Sequence, residues 1–428
     1  MNITMKKYKI GVIGLGYVGF PLACLFARKY PVTGFDINRS RIDNLLAGRD
    51  ITNEVSEEKF KAALDNGLHL TADIEDLKDC NVYIVAVPTP VDKHHRPDMS
   101  DVESASRIVG QMLSEGDIVI YESTVYPGAT EEFCAPILED ESGLKLNEGF
   151  YLGYSPERIN PGDKVHTVEN ILKITSGSTP EIADEIDNLY SSVLNNGTYK
   201  ASSLKVAEAA KIMENTQRDV NIAFMNEMTQ IFNSMGVDIH DVIKAASTKW
   251  NFLPFEPGLV GGHCISVDPY YLIEHSKDNG VYPRLTTEAR RINNAMPEFI
   301  VHRLVDYMNL AGLPVLNSRI LIMGFTFKEN CPDVRNTRII EIYHLLRHYT
   351  KNIEVLDPWA DKETVMRHYG LDIISDQSDL KSETYDAVLY CVRHSVFDTI
   401  AIESLCRPGG IVLDVKGSLD RKVSTHRL

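Results

Sequence analysis

From Tyr8 onward the chain alternates short apolar runs with stretches in which apolar residues return every three or four positions. Tyr8-Lys9-Ile10-Gly11-Val12-Ile13 reads as a strand, Gly14 to Gly19 as a glycine turn, the apolar pattern up to Tyr30 as a helix, and Val32 to Asp36 as a second strand. That order is one βαβ unit. Further buried strands are predicted at Val82–Val87, Ile118–Glu122 and Ile171–Thr175, with a helix over Asp101–Leu113. Strands alternating with helices imply a mostly parallel sheet covered on both faces.

The rhythm changes near Ala201. No Gly or Pro interrupts Ser203 to Met235, and apolar residues recur at helical spacing (Val206, Ala209, Ala210, Met213, Val220, Ala223, Phe224). A helix of that length spans roughly 50 Å and is a candidate spine and dimer surface. Asn251–Pro269 is a Gly/Pro-rich loop. From Pro314 short apolar strands return at Arg319–Gly324, Ile353–Asp357, Ala387–Val392 and Ile411–Val415, with a helix over Arg338–Tyr349. The expected fold is α/β: two Rossmann-like, doubly wound lobes joined by a helical middle domain with a long spine helix, divided at 1–200, 201–312 and 313–428.

Composition narrows the class. The 428 residues carry 44 Lys+Arg against 60 Asp+Glu, a net charge of −16. Such a chain is a poor partner for polyanions, so neither nucleic acid nor an anionic membrane is expected. A local basic pocket for a small anion remains compatible with that charge. Nowhere does an apolar run approach the roughly eighteen residues of a membrane span. Lys6 and Lys7 precede an apolar run, but glycines break that run as a strand and turn would, unlike a signal peptide. The seven cysteines are odd in number, scattered and without a CxxC pair, which fits a reducing cytoplasm and neither a disulfide framework nor a metal site.

Candidate chemistry concentrates at a few places. Gly14-x-Gly16-x-x-Gly19 between strand and helix, followed by Asp36 at the tip of the next strand, is the arrangement that lets backbone N–H groups reach a pyrophosphate while a carboxylate takes a ribose diol. Asp36 repels a 2′-phosphate and so favours NAD over NADP, although Arg39 and Arg41 lie nearby in sequence. Tyr17 and Val18 complete the turn. Val87-Pro88-Thr89-Pro90 and Ser123-Thr124 end strands with hydroxyls, where a doubly wound sheet presents its ligand; ordinary turn chemistry explains either motif equally well on its own.

Cys264 stands apart from the other cysteines because it sits in the loop Gly261-Gly262-His263-Cys264, with Asp268 four residues on. A lone cysteine is more often a small buried hydrophobe. Lys211 and Asn215, one helical turn apart, would make an oxyanion-holding pair, or else a solvated helix face. Glu157-Arg158 is open to the same two readings. Phe327 and Lys328 after the first strand of the last lobe could flank a base and meet a phosphate, though core packing explains the aromatics as well. His94-His95 reads as solvated.

Taken in order, Gly14–Gly19, Val87–Pro90, Ser123-Thr124, Pro156-Glu157, Lys211 with Asn215, Gly261–Cys264, Asp268 and Phe327-Lys328 resemble the UDP-glucose/GDP-mannose dehydrogenase family over residues 9–417. Within it, the runs Ser155–Asp163, Lys249–Phe255 and Gly324–Asp333 are most similar to the UDP-N-acetylhexosamine 6-dehydrogenases of polysaccharide synthesis, the Vi type acting on UDP-N-acetylglucosamine. UDP-glucose and UDP-N-acetylgalactosamine are the alternative substrates. Two departures from the UDP-glucose branch, Pro161 in place of a second glutamate and Val267 in place of a lysine, carry no role across.

The resemblance implies an NAD-dependent, cytoplasmic homodimer that oxidises a C6 hydroxyl to a carboxylate in two hydride transfers. It implies Asp268 with a water held by Thr124 as base, Cys264 as nucleophile, Lys211 and Asn215 at the oxyanion, and Glu157 activating water for hydrolysis. NAD would meet Gly14, Gly16, Tyr17, Val18, Gly19, Asp36, Arg41, Thr89 and Thr124. The UDP-sugar would meet Glu157, Arg158, Lys211, Asn215, Phe255, Gly261, Phe327, Lys328, Arg335 and Arg291. Two rivals share parts of this pattern. A 6-phosphogluconate or 3-hydroxyacid dehydrogenase needs neither the cysteine nor the last lobe, and a catalytically dead nucleotide-sugar sensor needs none of the reactive side chains.

Overall fold

The computed structural model describes residues 8–92, 94–158 and 167–428, and its secondary structure is that of these described residues. The chain divides into two compact units, one running to Glu214 and including Tyr270–Asn279, the other containing Asn215–Pro269 and Gly280–Leu428.

The first unit is built on β1 (Ile10–Ile13), α1 (Gly19–Phe26), β2 (Val32–Phe35), α2 (Arg39–Leu46), α3 (Glu57–Asp65), β3 (His69–Thr71), β4 (Val82–Val85), α4 (Ser100–Met112), β5 (Asp117–Tyr121), α5 (Ala135–Ser142), β6 (Phe150–Tyr154), β7 (Lys173–Gly177), α6 (Pro180–Ser191) and β8 (Thr198–Lys200). The strands form one sheet in the order β3-β2-β1-β4-β5-β6-β7-β8. Pairing is parallel from β3 to β6, and β7 then runs antiparallel to β6. Period-two alternation sends Ile10, Val12, Val82, Ile84, Ile118 and Ile120 to one core and Ile13, Tyr83, Val85, Val119 and Tyr121 to the other. With both faces buried, β1 and β4 carry no charged or hydroxyl-bearing aliphatic residue at any position, as the sequence shows.

The spine is α7 (Leu204–Ser234), 31 residues long, within a residue of each expected end. It is followed by α8 (Ile239–Ala246), α9 (Asp268–Asp278) and α10 (Arg284–Leu310). The last lobe contains β9 (Ile320–Met323), α11 (Ile339–Leu346), β10 (Ile353–Leu356), α12 (Lys362–Tyr369), β11 (Tyr385–Tyr390), β12 (Cys406–Asp414) and β13 (His426–Arg427). Its all-parallel sheet has the order β10-β9-β11-β12-β13. Ile320 and Ile322 face one core and Leu321 and Met323 the other. Two Rossmann-like sheets and a helical middle are therefore present as expected. Phe150–Tyr154 and the 27-residue α10 are the main additions to the elements legible in sequence.

Candidate active site

The turn between β1 and α1 shows why its glycines are needed. Gly14 has φ +89°, and a Cβ there would sit 2.8 Å from the Ala86 carbonyl oxygen. A Cβ on Gly19 would overlap the Gly14 carbonyl at 1.8 Å, so only glycine lets α1 start this close to the strand. Around Gly16 nothing lies within 4 Å of a built Cβ, and this exposed backbone is open to a ligand. No side chain caps the N-terminus of α1. A helix N-terminus with no side-chain cap, beside an open glycine, forms an anion cradle. Tyr17 and Val18 are half-buried in the same turn. Asp36 accepts from Leu15 N through Oδ2 (2.9 Å) and from Asn38 N through Oδ1 (2.9 Å), which sets its carboxylate at the tip of β2. These residues fit NAD: the turn for pyrophosphate, Asp36 for the ribose.

Arg41 plays a different part from the one its position suggested. It is buried, donates from Nε to Leu15 O (2.8 Å), pairs with Asp50 (2.8 Å) and lies 5.3 Å from the Phe20 ring centroid. It braces the cradle from behind, with Nη1 buried and without a hydrogen-bond partner. Thr89 and Thr124, both half-buried, follow β4 and β5 at the C-terminal edge of the sheet. Ser123 ties those two loops together by donating to Val87 O (2.7 Å). Tyr271 on α9 donates to Pro90 O (3.1 Å).

Lys211 and Asn215 are buried, which removes the reading of a solvated helix face. Lys211 Nζ donates to Glu157 O (2.9 Å). Asn215 Nδ2 donates to Asp268 Oδ2, and both side chains are at most 2% exposed. Glu157 is buried, whereas Arg158 pairs with Glu214. The rest of that run, Ile159 to Asp163 with Pro161, lies outside the described residues.

Of the seven cysteines, Cys264 is exposed and the other six are buried. Its loop leads into α9 through hydrogen bonds from Val267 N (3.1 Å) and Asp268 N (2.9 Å) to Cys264 O. The corner before it must be glycine. Gly262 has φ +81°, and a Cβ there would come within 2.8 Å of the Phe327 ring; at Gly261 it would meet Asn336 O at 2.8 Å. Asn336 Nδ2 in turn donates to Gly262 O (3.2 Å). His263 is largely shut from water, with its Nε2 unpartnered. Burial, and next the Arg335 charge, push that imidazole down to about 4, so it is neutral near pH 7.

Phe327, Lys328 and Gly261 line one cavity of about 140 Å³ together with Thr326, Arg338, Arg393 and Lys416. In a chain of net charge −16 this cationic lining suits an anionic ligand. Arg338, Arg393 and Lys416 were missed in sequence because they come from three separated segments. Arg335 forms a two-pronged pair with Asp333 (2.8 and 2.6 Å). Two expected contacts fall elsewhere. Phe255 packs into an apolar cluster with Met225, Ile239 and Ile243. Arg291 is 77% exposed and paired with Glu288. Its neighbour Arg290 is the inward one, bonded to Asp219 (2.7 Å), Asn294 (2.7 Å) and Ile265 O (3.3 Å) beside Cys264. Burial raises Asp219 to about 6 against the pull of that arginine.

A dinucleotide cradle, an exposed thiol on a glycine corner and a buried acid–amide pair are the parts of an NAD-dependent dehydrogenase. The chain belongs to the UDP-glucose/GDP-mannose dehydrogenase family: residues 8–194 match its NAD binding domain, 205–295 its central domain and 321–421 its UDP binding domain. It is 51% identical to a UDP-N-acetyl-D-glucosamine 6-dehydrogenase of Pseudomonas aeruginosa over 99% of this chain and 100% of that protein. It is 50% identical to one of Salmonella typhi over 99% of each. Among solved structures, a UDP-D-ManNAc dehydrogenase from Pyrococcus horikoshii superposes with a TM-score of 0.88 at 31% identity, covering 98% of both chains.

Proposed function

We propose that the protein oxidises the C6 hydroxyl of UDP-N-acetylglucosamine to the uronic acid in two successive NAD⁺-dependent steps, for surface polysaccharide synthesis. The observation that carries this is the exposed Cys264 thiol on a corner that only glycine can form, one turn before the buried Asp268–Asn215 pair. The full-length likeness to UDP-N-acetyl-D-glucosamine 6-dehydrogenases supports the choice of sugar.

Each residue has its own share of the work. Asp268, with a water held by Thr124, takes the hydroxyl proton. Bound NAD⁺ supplies the hydride acceptor for both oxidations. Cys264 adds to the C6 aldehyde, and the thiohemiacetal oxyanion is met by Lys211 and Asn215. After the second oxidation a thioester remains, and Glu157 takes a proton from the water that releases the acid and restores the thiol. The covalent step keeps the aldehyde on the enzyme, which is how one protein completes a four-electron oxidation. Phe327, Lys328, Arg393 and Lys416 hold the UDP portion.

A homodimer in the cytoplasm is part of the same reading. Val206, Met213, Phe224 and Ile231 form an exposed apolar series along α7, and a catalytic thiol that must stay outside any disulfide requires a reducing compartment. Purified protein with NAD⁺ and each of UDP-glucose, UDP-N-acetylglucosamine and UDP-N-acetylgalactosamine tests the proposal. The expected outcome is fastest NADH formation with UDP-N-acetylglucosamine at two NADH per sugar. A single NADH per sugar, or none with any of the three, refutes it, and sedimentation as an active 48.0 kDa monomer refutes the dimer.

A further inference from the structure

Three neighbouring strands of the first sheet end in a buried charged group, and two of the three have no part in the proposed chemistry. Glu122 follows β5, Glu157 lies in the loop after β6, and Lys173 opens β7. Because β7 runs antiparallel to β6, its first residue lies at the edge where β5 and β6 finish. The register pairs Gly153 with Gly177 and Tyr154 with Ser176; continued three residues, it sets position 157 against position 173.

The side chains meet there. Lys173 Nζ is 2.6 Å from Glu122 Oε2, 3.3 Å from Glu157 Oε2 and 3.2 Å from Pro156 O, so three N–H groups find three acceptors. Tyr190 OH donates to Glu122 Oε1 at 2.6 Å. Lys173, Glu122 and Tyr190 are buried, Lys173 and Glu122 with no exposed side-chain surface. Glu157 is thereby held at three points: its carbonyl accepts from Lys211 Nζ (2.9 Å) and one carboxylate oxygen from Lys173, while the other accepts from Arg158 N. Buried ion groups add little stability compared with apolar packing, so this one needs another reason to be present.

We propose that Lys173 is the positioning residue of Glu157, keeping its carboxylate in one orientation for the water that hydrolyses the Cys264 thioester. This inference rests on the function proposed for the site. In the step concerned, Glu157 takes one proton from water, the hydroxide oxygen bonds to the thioester carbon, and the C–S bond breaks to release the acid and the Cys264 thiolate. No electrons pass to NAD⁺ in that step, so Lys173 serves hydrolysis and neither hydride transfer.

The test follows NADH by rapid mixing, and the intact mass of the quenched full-length enzyme, with NAD⁺ and UDP-N-acetylglucosamine. Lys173→Met is combined with Glu122→Gln, which removes the cation together with its second counterion. The expected result is an intact first-turnover release of both NADH, KM within about threefold, kcat lower by about a hundredfold or more, and an acyl adduct trapped on Cys264. Lys173→Arg keeps the charge and should restore hydrolysis to within about tenfold of wild type. If the double variant does not fold, Lys173→Gln, which can still donate to Pro156 O, takes its place with the same readout.

Wild-type kcat without an adduct overturns the proposal. So does an equal loss of first turnover and hydrolysis, which marks a merely structural lysine. Glu157→Gln separates the two levels. If it stalls as the acyl-enzyme while the Lys173 variants do not, this inference alone fails; if it hydrolyses freely, the parent reading fails and takes this inference with it.

Discussion

Asn215 donates its side-chain amide to the carboxylate of Asp268, and the two are buried together although 53 residues separate them. One sits on the spine helix α7 and the other opens α9, directly after the cysteine loop. The amide holds the acid in one orientation. Asp268→Asn removes the proposed base but keeps the shape, and should lower kcat by about 10²–10⁴ with a smaller change in KM, read from steady-state NADH formation. Cys264→Ala should abolish uronate altogether, as measured by chromatography of the sugar products; normal uronate output would refute the covalent route.

Gly262→Ala should destabilise the fold by roughly 1–3 kcal/mol, because φ +81° is strained for alanine and its methyl would strike the Phe327 ring. Thermal unfolding measures the loss. Activity should fall with it, since the same corner presents Cys264. A Gly16→Ala protein is the contrast: nothing crowds a Cβ there, so stability should hold while the KM for NAD⁺ rises.

Arg290 and Asp219 form a buried pair at 2.7 Å. Removing one partner strands the other away from water, so Arg290→Leu should cost about 3–5 kcal/mol in denaturant unfolding. The neighbouring Arg291→Leu, on the exposed side of α10, should change stability by less than about 0.5 kcal/mol.

Lys328→Ala should weaken binding of UDP by about ten- to a hundredfold, the worth of one hydrogen bond to a charged group, with little change in kcat. Titration calorimetry with UDP reads this directly. The loss should shrink as salt rises, because the attraction is screened.

Burial lifts the Glu122 carboxyl to about 7, against the pull of Lys173 and with Glu157 adding to the rise. The unfolded chain has this group near about 4.3. A raised folded value means that the native state binds the extra proton, so the contribution to stability is full below about pH 4.3 and is lost as pH climbs through about 7. The thermal midpoint of the wild type, relative to Glu122→Gln, should therefore fall between about pH 4.5 and 7.5. Lys173, Glu157 and Tyr190 face the group from β7, the loop after β6 and α6, and each is retained in both proteins. A difference that is flat across that range would contradict the assignment.

What could be read along the chain was local. Gly14-x-Gly16-x-x-Gly19 with Asp36, the uninterrupted spine and the Gly261-Gly262 corner before Cys264 are set by backbone constraints between near neighbours, and short-range sequence carries those. The central strands β1, β4 and β9 were legible for a related reason, since each is buried on two faces and apolar along its length, whereas β3, β6, β8 and β13 were not read.

Burial of individual polar residues had no such signature. Arg290 and Arg291 are adjacent and chemically identical, and only the rotation of α10 against its neighbours decides which one turns inward. Lys211 and Asn215 have the spacing of a solvated face, and packing alone buries them. Lys173 looked like an ordinary strand residue until the reversal of β7 carried it to the rim beside Glu157. The sequence by itself thus determined the lobes, the dinucleotide cradle and the cysteine corner. Tertiary structure decided which charges lie in low dielectric and whom they face, because those properties belong to contacts between segments far apart in the chain.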